Sequence, residues 1–168
     1  MRMVLWGEED CVSFRGAYHH RVELKLFPKE FHEAGHVVAL ALYQNQLVFT
    51  RHKRRGIEWP GGKVEKGESP LEAMVRELKE ETGGVARSVW LVGQYTVFPA
   101  GETPFVKNIY VAVISHLVQH YVTGEDTYGP VLCDPNIHPS EEQGYSPLVC
   151  DGVFDRVRQT VLKIRSVY

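Results

Sequence analysis

Hydrophobic and polar positions alternate through Val22, Leu24 and Leu26, a period of two that predicts a strand with one buried face. The segments HVVALAL (36–42) and QLVFTRH (46–52), joined by YQN, read as a hairpin of two central strands. Further along, VWLVGQYTVF (89–98) and VKNIYVAVI (106–114) are rich in β-branched and aromatic residues. The turn residues of PAGETP between them predict a second antiparallel pair. Between the two pairs the period changes. Leu71, Met74, Val75 and Leu78 recur at i, i+3, i+4 and i+7, one apolar helix face expected to pack against the sheet. Ser69 can cap this helix, Pro70 suits its first position, Glu72 completes a capping box, and Gly83-Gly84 supplies the stop. The predicted span is Pro70 to Thr82. A second helix is expected near the end, where Phe154, Val157, Val161 and Ile164 recur at three- and four-residue intervals. The order is mixed α and β, without the βαβ alternation of a doubly wound sheet. No repeat, low-complexity tract or dividing linker interrupts it, so one domain over residues 1–168 is expected.

Composition adds mainly exclusions. With 168 residues, 43% of them hydrophobic and 24% charged, and a formal net charge of −2, the chain can bury a real core but carries no global basic field for nucleic acid. The longest apolar run, VVALALY (37–43), is far too short to span a bilayer. MRMVLWGEED turns acidic before a signal-peptide core forms, so a cytoplasmic location is expected and no membrane partner. Cys11, Cys133 and Cys150 are odd in number and widely spaced, a pattern of buried or free thiols.

Charge becomes informative within the first predicted helix. Glu77, Glu80 and Glu81 fall at i, i+3 and i+4, so three carboxylates share a helix face adjoining the apolar one. Like charges at these spacings are mutually unfavourable, and a cation would turn that cost into binding energy. Hard oxygen ligands suit Mg²⁺, with Mn²⁺ as a substitute. A solvated acidic helix face is the competing explanation.

The whole stretch decides between them. Gly62, five residues, Glu68, seven residues, then Arg76-Glu77-Leu78-Lys79-Glu80-Glu81-Thr82-Gly83 resembles the Nudix box, GX5EX7REUXEEXGU, U being bulky and apolar. Every fixed polar or glycine position matches; the last position departs, with Gly84 where a bulky apolar residue is usual. The resemblance implies an α+β fold, an αβα sandwich with a mixed sheet between helices. It implies hydrolysis of nucleoside diphosphates linked to another group. Carried over by position, Glu68, Glu77, Glu80 and Glu81 would be the metal ligands and Glu77 the first candidate for general base. Arg76 would be structural, tying down the loop or a glutamate, and Gly62 would leave room where a side chain would obstruct the site. Some relatives place the base on a later loop, here GEDTYGP (124–130), which makes Glu125 or Asp126 a candidate extra ligand, against a solvated turn. Glu141 and Glu142 are weaker candidates.

Outside the box, GIEWPGGKVE, GQYTV, VKNIYVAV and DTYGPVL resemble a bacterial Nudix branch. That branch includes triphosphatases of oxidised purine nucleotides such as 8-oxo-dGTP and RNA 5′-pyrophosphohydrolases. The implied substrate is a purine nucleotide carrying a triphosphate, free or at an RNA 5′ end. Gly61, Gly62, Lys63, Lys107, Asn108 and Phe98 are the candidate substrate-binding residues. Trp59, Tyr95 and Tyr110 are further stacking candidates that core packing would equally explain. RHKRR (51–55), the basic cluster of the chain, would either steer phosphates or form a solvated hairpin end. Relatives that only bind nucleotides typically lose box glutamates, whereas all are present here, which argues for an enzyme. Relatives often dimerise through sheet edges, so a homodimer is an expectation of the resemblance.

Overall fold

The computed structural model describes residues 9–121 and 123–167; the side chains of residues 164–167, Ile164 among them, lie outside the described residues. Strand β1 (Asp10–Arg15) precedes β2 (Arg21–Leu26), and β3 (His36–Tyr43) turns into β4 (Gln46–His52) through the expected hairpin. Buried throughout except at its ends, β3 is the axis of the sheet. Its consecutive apolar residues send alternate side chains to opposite faces. Val37, Ala39 and Ala41 join one core with Ala73, Met74 and Leu78. Val38, Leu40 and Leu42 join the other with Phe154, Val157 and Val161.

Two short strands follow, β5 (Gly56–Glu58) and β6 (Gly61–Lys63), and lead into α1 (Pro70–Thr82). After the helix come β7 (Gly84–Phe98), β8 (Phe105–Leu117), β9 (Thr127–Cys133) and α2 (Val153–Val167). The sheet order is β1-β2-β7-β8-β3-β4-β5, with β6 on β3 and β9 on β4. The β3–β8 pairing is parallel, and the other strand pairings among the described residues are antiparallel. With α1 over one face and α2 over the other, this is the expected αβα sandwich around a mixed sheet.

The expected local signals operate at α1. Ser69 Oγ accepts from the Glu72 N–H at 3.2 Å and Glu72 Oε2 accepts from the Ser69 N–H at 2.7 Å, closing the capping box. Gly83 ends the helix in the left-handed region, φ 70°, where its N–H reaches the Lys79 carbonyl at 2.9 Å. The departure at Gly84 also has a cause. A Cβ there would meet Ile114 Cδ1 at 2.9 Å and Leu78 Cγ at 3.3 Å, so neighbouring side chains already fill the apolar slot.

The helix face differs from the expectation. Leu71 and Val75 are 49% and 45% exposed, and the buried positions are Ala73, Met74, Leu78, Glu81 and Thr82. The helix is rolled toward its glutamates because Ala39, Ala41, Ala73 and Ala112 let it lie close to the sheet. Polar ties reward that approach: Thr50 Oγ1 donates to the Glu81 carbonyl at 3.1 Å, and the Gly61 N–H donates to Glu81 Oε2 at 2.9 Å. The second hairpin is longer than predicted, and residues 127–133, expected in part as loop, are paired with β4. Strands β1, β5 and β6 carried too short or too irregular a pattern to be read.

Asp151, just before α2, accepts from the Val153 N–H at 2.9 Å, yet burial pushes its carboxyl up to about 6. A folded-state value above the ordinary one means the charged form opposes folding, so stability falls as pH rises through about 6. Asp151→Asn keeps the capping oxygen and is expected to raise the unfolding free energy at pH 8 by about 1–3 kcal/mol. The gain should shrink toward zero near pH 4. Chemical denaturation at the two pH values checks this; equal destabilisation at both would refute it.

Candidate active site

Arg76, in the second turn of α1, gathers the box. Its Nη2 donates to Glu68 Oε1 at 2.7 Å and its Nε to Glu68 Oε2 at 3.1 Å, a two-pronged bond to the loop before the helix. Nη1 donates to Glu77 Oε1 at 2.9 Å and to Glu80 Oε2 at 3.2 Å. Nη2 also donates to the Lys63 carbonyl at 3.1 Å, fastening the end of β6. One guanidinium thus holds three carboxylates and two chain segments, the structural role expected of it.

The neighbouring glycines are spatial requirements. A Cβ on Gly62 would lie 2.2 Å from Glu77 Oε1, and one on Gly61 would lie 2.1 Å from the Val37 carbonyl oxygen. Strand β6 therefore runs against both α1 and β3 without side chains, and Gly61 is free to donate its N–H to Glu81. Hydrogen bonds from Arg76, then the Glu65 N–H, hold Glu68 below the usual carboxylate range. Burial raises Glu77 against the pull of Arg76, and burial pushes Glu81 up to about 8. Glu68, Glu77 and Glu81 are therefore in unequal environments, from loop to helix interior.

Beside the box opens a cleft of about 250 Å³, walled by His36, Arg55, Glu58, Gly62, Lys63 and Lys107. Lys107 also lines an adjoining cavity of about 160 Å³ with Tyr95, Leu148 and Asp151. Burial lowers both Lys107 and His36. The cleft thus carries Arg55, Lys63 and Lys107 against the one acid Glu58 and lies next to a carboxylate cluster.

A family model described as the NUDIX domain matches residues 32–145. The chain belongs to the NUDIX family. It is 39% identical over 121 residues to YtkD of Bacillus subtilis, a protein named as a candidate 8-oxo-dGTP diphosphatase, covering 71% of this chain and 75% of that one. An 8-oxo-dGTP diphosphatase of Escherichia coli is 48% identical over 44 residues, covering 23% of this chain and 34% of that protein. Among solved structures, the Bacillus subtilis pyrophosphohydrolase BsRppH superimposes with a TM-score of 0.81 at 32% identity, over 90% of this chain and 96% of that one. The chain is a NUDIX pyrophosphohydrolase, a hydrolase of phosphorus-containing acid anhydrides.

NUDIX enzymes work with divalent metal ions, and the donor chemistry here fits one. The carboxylates offer hard oxygens, although among the described residues no three acidic, histidine or cysteine side chains are grouped so as to hold an ion by themselves. Mg²⁺ needs fewer protein ligands, since it takes one or two carboxylates and completes its shell with water and phosphate.

Several predicted residues lie elsewhere. Phe98 is outside the cleft lining, its ring 3.6 Å from the Arg21 guanidinium carbon. Asn108 is buried, with Oδ1 accepting from Gln94 Nε2 at 2.7 Å and Nδ2 donating to the Tyr110 hydroxyl at 3.2 Å. Its amide is engaged within the sheet. Tyr110 is a core residue; Trp59 is buried in the other core yet borders the cleft, and Tyr95 is buried and lines the adjoining cavity. Glu125 and Asp126 sit in the turn whose Gly124 N–H reaches the Glu80 carbonyl at 3.2 Å, with Asp126 turned 3.6 Å toward Arg54. Glu141 and Glu142 begin a short 3₁₀ turn, Glu141 facing the basic hairpin. The residues missed are His36, Arg55, Glu58, Leu148 and Asp151, far apart in sequence. Arg55 carried a signal as part of RHKRR and Glu58 as part of GIEWPGGKVE; the other three carried none.

Gly62→Ala is expected to preserve the fold, since the atom it strikes is the end of a flexible side chain, but to displace Glu77. A misplacement of about 1 Å costs on the order of 100-fold in rate. Turnover should therefore fall at least about tenfold with an unchanged urea midpoint; parental turnover would refute the packing argument.

Proposed function

We propose that this chain, acting as one catalytic domain, hydrolyses purine nucleoside triphosphates, oxidised forms such as 8-oxo-dGTP included, to the monophosphate and pyrophosphate. The observation that carries the reading is the position of the Arg76-bound glutamates beside the cationic cleft. The names of YtkD and of the Escherichia coli relative support the nucleotide class. Mg²⁺, with Mn²⁺ as its substitute, is the assigned ion, held by Glu68, Glu77, Glu80 and Glu81, with Glu125 or Asp126 as the candidate extra ligand. When bound, such ions neutralise phosphate oxygens and lower the pKa of a coordinated water.

The chain's own residues supply the remainder. Arg55, Lys63 and Lys107 line the cleft as cations for the polyphosphate. Glu77, half-buried and oriented by Arg76, accepts the proton of the water that adds to phosphorus. Pyrophosphate departs as the anhydride P–O bond breaks. Arg76 acts as a positioning residue, keeping Glu68, Glu77 and Glu80 apart from one another.

A second reading is the triphosphorylated 5′ end of RNA, favoured by one feature. Arg55 walls the cleft beside the box and also a second cleft open to solvent, so a substrate longer than one nucleotide has a way out.

With Mg²⁺ present, 8-oxo-dGTP is expected to yield 8-oxo-dGMP and pyrophosphate, resolved by ion-exchange chromatography. Chelation should abolish turnover, and Glu77→Gln or Glu80→Gln should reduce kcat by at least about 100-fold, or near 3 kcal/mol in barrier. Hydrolysis that survives chelation would refute the metal assignment. Parallel reactions with dGTP and a 5′-triphosphate RNA rank the two readings.

A further inference from the structure

The basic hairpin end is built as a surface. His52 is buried, and its Nδ1 accepts from the N–H groups of Arg54 at 3.1 Å and Arg55 at 3.0 Å. Burial, then Arg55, lowers the His52 pKa, consistent with a ring nitrogen that stays an acceptor. The Lys53 N–H donates to the Asp126 carbonyl at 2.7 Å, and His52 pairs with Thr127. The hairpin end is thereby locked to the start of β9. These bonds spend backbone groups and leave the cationic side chains of Arg51, Lys53 and Arg54 outside, Arg54 79% exposed.

On the neighbouring strand stands Tyr128, 67% exposed, the most exposed large hydrophobic residue among those described. Lys53 Nζ lies 5.4 Å from its ring centroid. The ring is covered only in part, with Lys53 on it, and most of its surface is open to a ligand. Arg51, Lys53, Arg54, Arg55 and Tyr128 line one shallow cleft of about 450 Å³, with Glu141 the acid on its wall. Asp126 faces Arg54 directly at 3.6 Å, an exposed pair too weak to neutralise it. Arg55 is the shared wall between this cleft and the one beside the glutamates, pinned there by Glu58 at 2.7 and 3.1 Å.

We propose that this cleft is a landing surface for single-stranded RNA, holding the nucleotides that follow a 5′ end seated at the glutamates. Bases stack on Tyr128, and phosphates pair with Arg51, Lys53 and Arg54. An aromatic platform among point cations suits single strands, whose bases are free to stack and whose phosphates lie within reach of the same groove. A duplex hides its bases, and an acidic peptide has no use for the ring. On a chain of net charge −2 this local field is what distinguishes a strand end from a free nucleotide. The inference rests on the second reading above, that RNA ends enter the site.

The test uses the full chain and fluorescence anisotropy in EDTA, with a 5′-monophosphate single-stranded 12-mer and the matching dinucleotide. The parent should bind the 12-mer at least about tenfold more tightly than the dinucleotide. Lys53→Ala/Arg54→Ala should erase that advantage and flatten the salt dependence of 12-mer binding by about one log unit per log unit. Tyr128→Ala should weaken 12-mer binding at least about fivefold. Dinucleotide affinity and 8-oxo-dGTP turnover should stay parental. Equal parental affinity for both lengths, or variants that keep the advantage, would overturn the proposal, as would equal loss with a duplex of the same length. Turnover of a 5′-triphosphate 12-mer, measured separately with Mg²⁺, tests the underlying reading. A parent that binds through this surface but leaves the triphosphate end intact sinks that reading alone.

Discussion

A guanidinium surrounded by carboxylates is the constraint on which the site depends. Without Arg76, Glu68, Glu77 and Glu80 would repel one another across a partly buried surface, and the loop from Lys63 to Ser69 would lose its anchor. With it, the three carboxylates share one counter-charge and are fixed on one side of the helix and its preceding loop. The hydrogen bonds are charge-assisted and partly shielded from water, so they are stronger than the same pairs on an open surface. Arg76 itself is stabilised in its charged form, first by Glu68. The arrangement is a prepared electrostatic frame whose unfavourable charge is balanced on one side by arginine and left unbalanced on the other.

That frame is held against the sheet by small residues. Ala39, Ala41 and Ala112 line the sheet under α1, and Gly61 and Gly62 pass where any Cβ would collide. Close approach carries Glu81 into the interior, where burial alone would disfavour its charge, and the Gly61 N–H is the compensation. On the opposite face, larger side chains such as Leu40, Phe49 and Phe154 fill the space under α2. The two faces of one sheet thus do different work: one is thick and apolar, the other thin, allowing polar groups to meet across it.

The clefts follow from sheet topology. Parallel pairing of β3 with β8 sets His36 beside Lys107, and β6 on β3 sets Lys63 opposite His36. Two lysines from separate strands therefore converge next to the box, beside a histidine whose charged form burial and those lysines disfavour. Arg55 joins them from the β4–β5 connection and continues into the basic hairpin end. The cleft beside the box and a solvent-facing cationic surface are consequently contiguous, joined by a single side chain.

Local rules acting within a few residues made much of this legible in the sequence. Ser69, Pro70, Glu72 and Gly83 delimited α1 at both ends, and the spacing of Arg76, Glu77, Glu80 and Glu81 placed the candidate site on its second half, because about a turn and a half brings those groups to one side, with Glu68 on the loop just before. The hairpin of β3 and β4 was equally local. The roll of α1 was not, since Leu71 and Val75 satisfy helix periodicity as well as Ala73 does, and only the depth of the sheet surface chooses between them. Asn108 and Phe98 read as ligands in isolation, but Gln94 and Arg21, contributed by neighbouring strands, claim them. His36, Arg55, Lys107 and Asp151 meet only through strand order, which no short-range pattern encodes. The chain by itself determined the chemistry of the box, while tertiary packing decided which cations and cavities surround it, because that depends on contacts between segments distant in sequence.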